Sequence, residues 1–425
     1  MLIRDAIGID PDSQQYVCMF VRAEGGVSER KAFPVTTSGL EKLIDWTRSK
    51  DGAIIAIEGC NGQSKPLEKA LRKESLNFYS FKARDVEQKR KSQLSAGKNN
   101  EKDAHAAALL AIERELNGSL ERWRRVYPTD TELQTVTRKY ESVTGKITQE
   151  ISALWKLLYE ASPDIYLFFS GKNMETGNRR NILNSVGILN LLGNCPDLSR
   201  WKELSAEELK EMMGGGSYKG RDSVISGLKA AAKGIYGVAK SIPMMIRQSA
   251  ENILLLNGHK EEMKRILEDL AKSRNSILEL MYDESNGKGL KGIGVITAAT
   301  MIAEIIHINR FVKEDSLALY AGFGMVEDET GKKKPGERKK MKHSHEYNRR
   351  LKNAFMNAAK NFVHWNPDHH LAGMHRNLIK KGMSRLEANK RVARALVRKI
   401  FRILKVYVEL ESTKKMEENG AAKVG

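Results

Sequence analysis

The chain has little of what would tie it to a membrane or to an oxidising compartment. Its 425 residues contain no run of about 18 apolar positions, the length a membrane-spanning helix needs. The opening MLIRDAIGID lacks the apolar stretch of a signal peptide. Cysteine occurs three times, at Cys18, Cys60 and Cys195, and thiols that far apart and odd in number support neither a disulfide framework nor a zinc cluster. A cytoplasmic protein is the expectation. Acidic residues are also in deficit, 53 against 72 Lys and Arg, which gives a formal charge of +19 and a pI near 9.6. Such a balance favours a partner with a phosphate backbone, so nucleic acid is the leading partner class. A hydrophobic content of 41% over this length predicts two or three domains with proper cores, not a basic disordered tail.

The cations concentrate most densely in GKKKPGERKKMKHSHEYNRRLK, residues 331–352, where ten of twenty-two positions are Lys or Arg and a single serine, Ser344, sits near the centre. A segment so charged cannot enter a core, because each charge would be desolvated without a partner. Taken alone it is either a basic surface loop or a phosphate-binding segment that holds Ser344 against its ligand. His343 and His345 flank the serine, and His364, His369, His370 and His375 follow. No Cys or carboxylate stands near them at zinc-ligand spacing, so a zinc site is not expected; His343 and His345 read as solvent-facing parts of the loop, with proton transfer or phosphate contact open to them.

The N-terminal segment reads as α/β. Ala6–Asp10 and Tyr16–Val21 are short apolar runs around a Pro11-Asp12-Ser13 turn cluster, and a third strand is predicted near Lys31–Val35. A helix follows over Gly39–Arg48, then Ala53–Glu58, a near-continuous apolar strand of the buried parallel kind, a helix over Lys65–Glu74, a fifth strand over Leu76–Phe81 and an alanine-rich helix over Glu101–Leu116 carrying Asp103. A three-strand meander followed by alternating helices and strands is the order of an RNase H-like fold. Two of its strands end in carboxylates, Asp10 and Glu58. Hard divalent ions such as Mg²⁺ take oxygen ligands, and two ions roughly 4 Å apart can stabilise both the attacking and the leaving oxygen of a phosphodiester. Taken singly, Asp10 could be a turn former and Glu58 a helix cap.

The pieces IGID (7–10), IEGCNG (57–62) and KNNEKDAHAAALLA (98–111) resemble the RuvC-like DEDD domain of the insertion-sequence transposase family numbered one hundred and ten, which includes pilin-gene invertases. The resemblance implies two Mg²⁺ ions held by Asp10, Glu58, Asn100 and Asp103. Asn100 departs from the family pattern, which has an aspartate there. An amide oxygen can ligate Mg²⁺ but brings no charge, so weaker metal binding is expected unless Glu101 substitutes.

In the middle of the chain Leu133, Val136, Tyr140, Val143, Ile147, Ile151, Leu154 and Leu158 recur at steps of three and four, a narrow stripe of coiled-coil type. A second long helix, about 243–281, supplies an intramolecular partner, and the two predict an antiparallel stalk that also mediates dimer contacts. Between them, residues 170–240 read as a small basic helical insert. Its Gly214-Gly215-Gly216 run lacks the following Gly-Lys-Ser/Thr of a P-loop, which excludes that mode of nucleotide binding.

Downstream, Gly292-Ile293-Gly294 opens a small-residue helix through Ile306, like half of a helix-hairpin-helix, whose N-terminal N–H groups would face a phosphate. A glycine C-cap before a fresh helix would look the same. The order GIG-x-x-T-A, AGF, basic loop and S-x-x-x-N-R-x-L-K, then a helix and Asn366-Pro367, resembles the C-terminal domain of the same transposase family; residues 380–404 resemble its closing basic helix. That resemblance assigns the nucleophile to Ser344, four residues before Asn348. The expected nucleic-acid contacts are Lys332, Lys333, Lys334, Arg338, Lys339, Lys340, Lys342, Asn348, Arg349, Arg350, Lys352, Gly292, Gly294, Arg394 and Arg398.

The expected layout is an α/β RuvC-like domain over 1–120, all-α coiled-coil helices over 121–285, a mostly helical serine-bearing domain over 286–412 and a disordered tail over 413–425. The resemblance implies a DNA recombinase that moves a mobile element in a bacterial cytoplasm, at the nucleoid. It would act as a dimer or tetramer through a phosphoserine intermediate, with donor and target DNA chosen by a structured guide RNA. Two alternatives stay open: a nucleic-acid-binding relative without catalysis, and a RuvC-like nuclease that uses metal-activated water.

Overall fold

The computed structural model describes residues 3–59, 62–93, 99–124, 127, 130–170, 183, 185–214, 221–233, 239–281, 289–327, 341–343 and 347–421. Two compact units divide the chain, Met1–Pro128 and Thr129–Gly425.

The first unit is built on a five-stranded mixed sheet. Its strands are β1 (Ala6–Pro11), β2 (Gln15–Val21), β3 (Val27–Pro34), β4 (Ile54–Gly59) and β5 (Phe78–Lys82), in the order β3-β2-β1-β4-β5. The β1–β2 and β2–β3 pairs are antiparallel and the β1–β4 and β4–β5 pairs parallel. Helices α1 (Thr37–Arg48), α2 (Lys65–Lys73), α3 (Ala83–Ser92) and α4 (Asn100–Leu116) complete the unit. Side chains alternate across a strand, so β1 and β4 serve two cores at once. Ile7, Ile9, Ile55 and Ile57 pack with Leu43 and Ile44 of α1 and Leu67 and Leu71 of α2. Ala6, Ile54 and Ala56 face the other way, onto Ala104, Ala107, Ala108 and Ala111 of α4. Edge strand β3 starts earlier than its sequence suggests, because most of its residues are exposed; the charges of Glu29–Lys31 hide the alternation while they blunt a free sheet edge. The polar stretch after Arg84 is also helical: α3 buries only Val86 and Arg90, too few for a periodic signal.

The second unit is helical: α5 (Thr131–Ala161), α6 (Pro163–Ser170), α7 (Val186–Asn194), α8 (Ala206–Met212), α9 (Arg221–Ala232), α10 (Ser241–Ser273), α11 (Asn275–Leu280), α12 (Val295–Ile305), α13 (Glu314–Tyr320), α14 (Arg349–Trp365), α15 (His370–Lys380) and α16 (Arg385–Ala421). The antiparallel pair β6 (Met325–Glu327) and β7 (Met341–His343) interrupts them. Helices α5 and α10 run antiparallel: Leu133, near the start of α5, shares a core with Leu267 and Ala271 near the end of α10, while Leu154 and Leu158 share another with Ile242 and Ile246. Asp130 caps α5 by accepting from the Leu133 N–H (3.0 Å) and also pairs with Arg274 (2.9 Å), where the second long helix breaks into α10 and α11. Helices α6 to α9 contribute to the core at the far end of the α5–α10 pair. The other core gathers α11 to α16. Helix α16 continues to Ala421, into the stretch expected to be a disordered tail. Among the described residues no helix is long and apolar enough to cross a membrane.

Candidate active site: an acidic centre and a basic C-terminal region

Three local features bring the first cluster together. The parallel register pairs Ile9 with Ile57, so Asp10 and Glu58, one residue further on, lie side by side where β1 and β4 leave the sheet. Alternation puts both carboxylates on the α4 side, the side of Ala6, Ile54 and Ala56. Helix α4 can lie directly on β1 because residue 8 is glycine. A Cβ there would stand 1.8 Å from the Ala104 carbonyl oxygen and 2.8 Å from the Ala108 nitrogen. Asp103, the residue before Ala104, is thereby delivered to the strand ends. Carboxylate oxygens of Asp10, Glu58 and Asp103 all lie within 4.8 Å of one another, and no other such group of His, Cys, Asp or Glu occurs among the described residues.

Asp103 is 3% exposed and forms an ion pair with Arg90 of α3, Nε to Oδ1 2.8 Å, in which both side chains are nearly fully buried. Three convergent carboxylates are a donor set for a hard divalent cation, and Arg90 offsets part of their mutual repulsion. The residues present therefore fit a hard divalent cation. Arg90 was not singled out in sequence, where it lies in an undifferentiated polar run.

The residues around the start of α4 make further contacts. Asn99 caps α4, accepting from the Lys102 N–H at 2.8 Å. Asn100 begins the helix, and its Nδ2 donates to Oδ2 of Asp12 at 3.1 Å. Glu101, the expected substitute, pairs instead with Arg30 of β3 at 3.0 Å. Hydrogen bonds from the Ser13 backbone and hydroxyl, then from Asn100, hold the Asp12 carboxyl below the usual carboxylate range. Burial pushes the half-buried His105 imidazole down, against a hydrogen bond with Gly25.

In the C-terminal region the expected contacts divide. Ser344, His345, Lys332, Lys333, Lys334, Arg338, Lys339 and Lys340 lie outside the described residues. Lys342 and His343 belong to β7. Asn348 is built into the helical core: it caps α14 by accepting from the Leu351 N–H (3.0 Å), and its Nδ2 donates to Glu304 (2.7 Å) and to the Tyr320 hydroxyl (3.2 Å). Its backbone N–H donates to the Tyr320 carbonyl at 2.8 Å. Glu304 is a 3%-exposed carboxylate in α12 that also takes both arms of Arg138 from α5, at 3.0 and 3.3 Å. Its signal in sequence is a lone acid inside the apolar run of α12.

Arg350 pairs with Glu141 of α5 at 2.7 Å, and the Lys352 ammonium sits 4.1 Å from the centre of the Tyr347 ring. Arg349 is exposed. Arg394 and Arg398 of α16 face the first turn of α13: Arg398 reaches Asp315 at 3.2 Å and Glu314 at 3.4 Å, Arg394 reaches Asp315 at 3.9 Å, and Arg402, one turn on, reaches Glu314 at 3.2 Å. Gly292 has φ of +96°, and a Cβ there would meet the Asn361–Phe362 backbone at 2.9 Å, so its role in this structure is packing. Gly294 caps α12, with open space where a Cβ would be.

An acidic triad at adjacent strand ends, in a strongly basic chain, is the arrangement of an enzyme that works on phosphodiesters. Two family models agree. A DEDD-type transposase model of the IS110 group matches residues 7–163, and the model described as Transposase IS116/IS110/IS902 family matches residues 288–372. The protein is a DNA transposase, and it belongs to the IS110 family. No curated protein matches it.

Proposed function

We propose that this transposase cuts and rejoins DNA through a covalent phosphoserine at Ser344, with Asp10, Glu58 and Asp103 holding Mg²⁺. The observation that carries this is the convergence of the three carboxylates within 4.8 Å inside the segment matched as a DEDD transposase. The strand order β3-β2-β1-β4-β5, with β1 central and the acids at its end and that of β4, supports an RNase H-like assignment for the first unit. In the reaction proposed, the Ser344 oxygen bonds to phosphorus as a phosphorus–deoxyribose oxygen bond breaks; the serine gives its proton to water, and the departing oxygen takes one up from water to leave as a deoxyribose hydroxyl. Bound divalent ions would supply charge stabilisation to the phosphorane and to the departing oxygen. Arg90 holds the Asp103 carboxylate in position through their ion pair. Arg349 and Lys352, at the start of α14 and five and eight positions after the serine in sequence, would contact a backbone phosphate. A guide RNA and a homo-oligomer belong to the same proposal; the +19 charge is of the sign that either nucleic acid requires.

The test is to incubate full-length protein, Mg²⁺, end-labelled element DNA and the RNA that copurifies, and to look for a protease-sensitive protein–DNA adduct. We expect the adduct with the wild type and none with Ser344→Ala. Free cleaved ends from Ser344→Ala would make the protein a nuclease that uses activated water. No cleavage by the wild type or by Asn100→Asp would make it a binding protein.

A further inference from the structure

The DEDD designation implies four carboxylates, and Asn100 leaves this centre with three. The shortage is sharper than it looks, because Arg90 neutralises part of what remains. The nearest alternative on α4, Glu101, is turned to Arg30. Asp12 is differently placed. It follows Asp10 by two residues, just beyond the end of β1, where its N–H donates to the Gln15 carbonyl at 3.0 Å and its carboxylate accepts from Ser13 as well as from Asn100. Pro11 between the two stiffens their spacing. On the helix, Asn100 and Asp103 are three residues apart and share a face. Strand and helix therefore meet in two rungs. The inner one joins Asp10 to Asp103 and Glu58; the outer one joins Asp12 to Asn100 at 3.1 Å.

We propose that Asp12 supplies the fourth negative charge of the metal centre, with Asn100 as the neutral arm that fixes it in place. The charge has in effect crossed the rung, from helix to strand. This rests on the metal-binding role proposed above for the triad, and it predicts that the two positions compensate for one another.

Titration of the full-length protein with Mg²⁺, and with Mn²⁺ as a spectroscopic substitute, tests it without DNA or turnover. Asp12→Asn keeps an amide partner for Asn100 and should leave the metal-free unfolding midpoint unchanged while weakening divalent affinity by about tenfold or more. The swap Asp12→Asn with Asn100→Asp should recover affinity to within about threefold of wild type, since the charge returns to the rung from its other side. Asn100→Ala should cost less than Asp12→Asn. If Asp12→Asn binds Mg²⁺ within about twofold of wild type while Glu58→Gln binds poorly, the triad stands and the role of Asp12 is overturned. A swap no better than Asp12→Asn alone also overturns it. If Glu58→Gln and wild type bind alike, the metal centre itself fails, and the assignment of Asp12 with it.

Discussion

The acidic centre and the basic C-terminal region treat charge in opposite ways. In the first unit three carboxylates are driven together, with one guanidinium beside them. In the second, several cations that look available in sequence are matched by acids: Arg350 by Glu141, and Arg394, Arg398 and Arg402 by Glu314 and Asp315. Like charges held close cost folding energy and are kept for a ligand of opposite sign. Exposed pairs of opposite charge cost little and contribute little, and a polyanion can compete for them. The overall charge of +19 thus overstates how much positive surface stands ready for DNA.

The contrast breaks most completely at Gly8. Gly8→Ala would push a Cβ into the Ala104 carbonyl and part β1 from α4. A destabilisation of about 3 kcal/mol or more is expected in urea unfolding, with loss of Mg²⁺ binding. A cost below about 1 kcal/mol would show that the helix is free to move and that the triad does not depend on this contact. On the other side, Glu314→Gln with Asp315→Asn should release the α16 arginines. Affinity for non-specific duplex DNA should rise severalfold at low salt, and the dependence of log K on log salt should steepen by about two. An unchanged slope would show that these arginines do not reach phosphate. The smallest effect concerns Glu29 on β3, which accepts hydrogen bonds from Lys50, Lys31 and Trp46. These hold its carboxyl far below the usual range, at about 2, led by Lys50. A depressed carboxyl contributes stability that is complete above its unfolded value of about 4.5 and is lost as pH falls towards 2. Wild type should therefore be slightly more stable than Glu29→Gln at pH 7, and the gap should narrow at pH 3. A gap that is constant with pH would assign the effect to packing.

Asp10, Glu58 and Asp103 were legible because each belongs to an element with a clear period. Two apolar strands end on acids, and a small-residue helix marks where close packing is needed. Asp12 was hidden in a Pro-Asp-Ser turn cluster, since its partner lies 88 residues away. Arg90 was hidden for the same reason, as an ion pair between separate helices leaves no local pattern. The cations of α16 were found as a helical stripe, but periodicity reports only which face they share. It says nothing of Glu314 and Asp315, which meet that face from 79 or more positions upstream in the chain. For Asn348 the family motif suggests a phosphate contact, and no local pattern in the sequence announces its hydrogen bonds to Glu304, Tyr320 and Leu351, which give it a structural task.

That task has a mechanical consequence. Ser344 is four residues from Asn348, and four residues of extended chain span about 14 Å at most. The Asn348 peg is held by Glu304 in α12, which is held in turn by Arg138 in α5. A buried carboxylate is thus the knot that ties α5, α12 and the start of α14 together, four positions after the serine proposed as nucleophile.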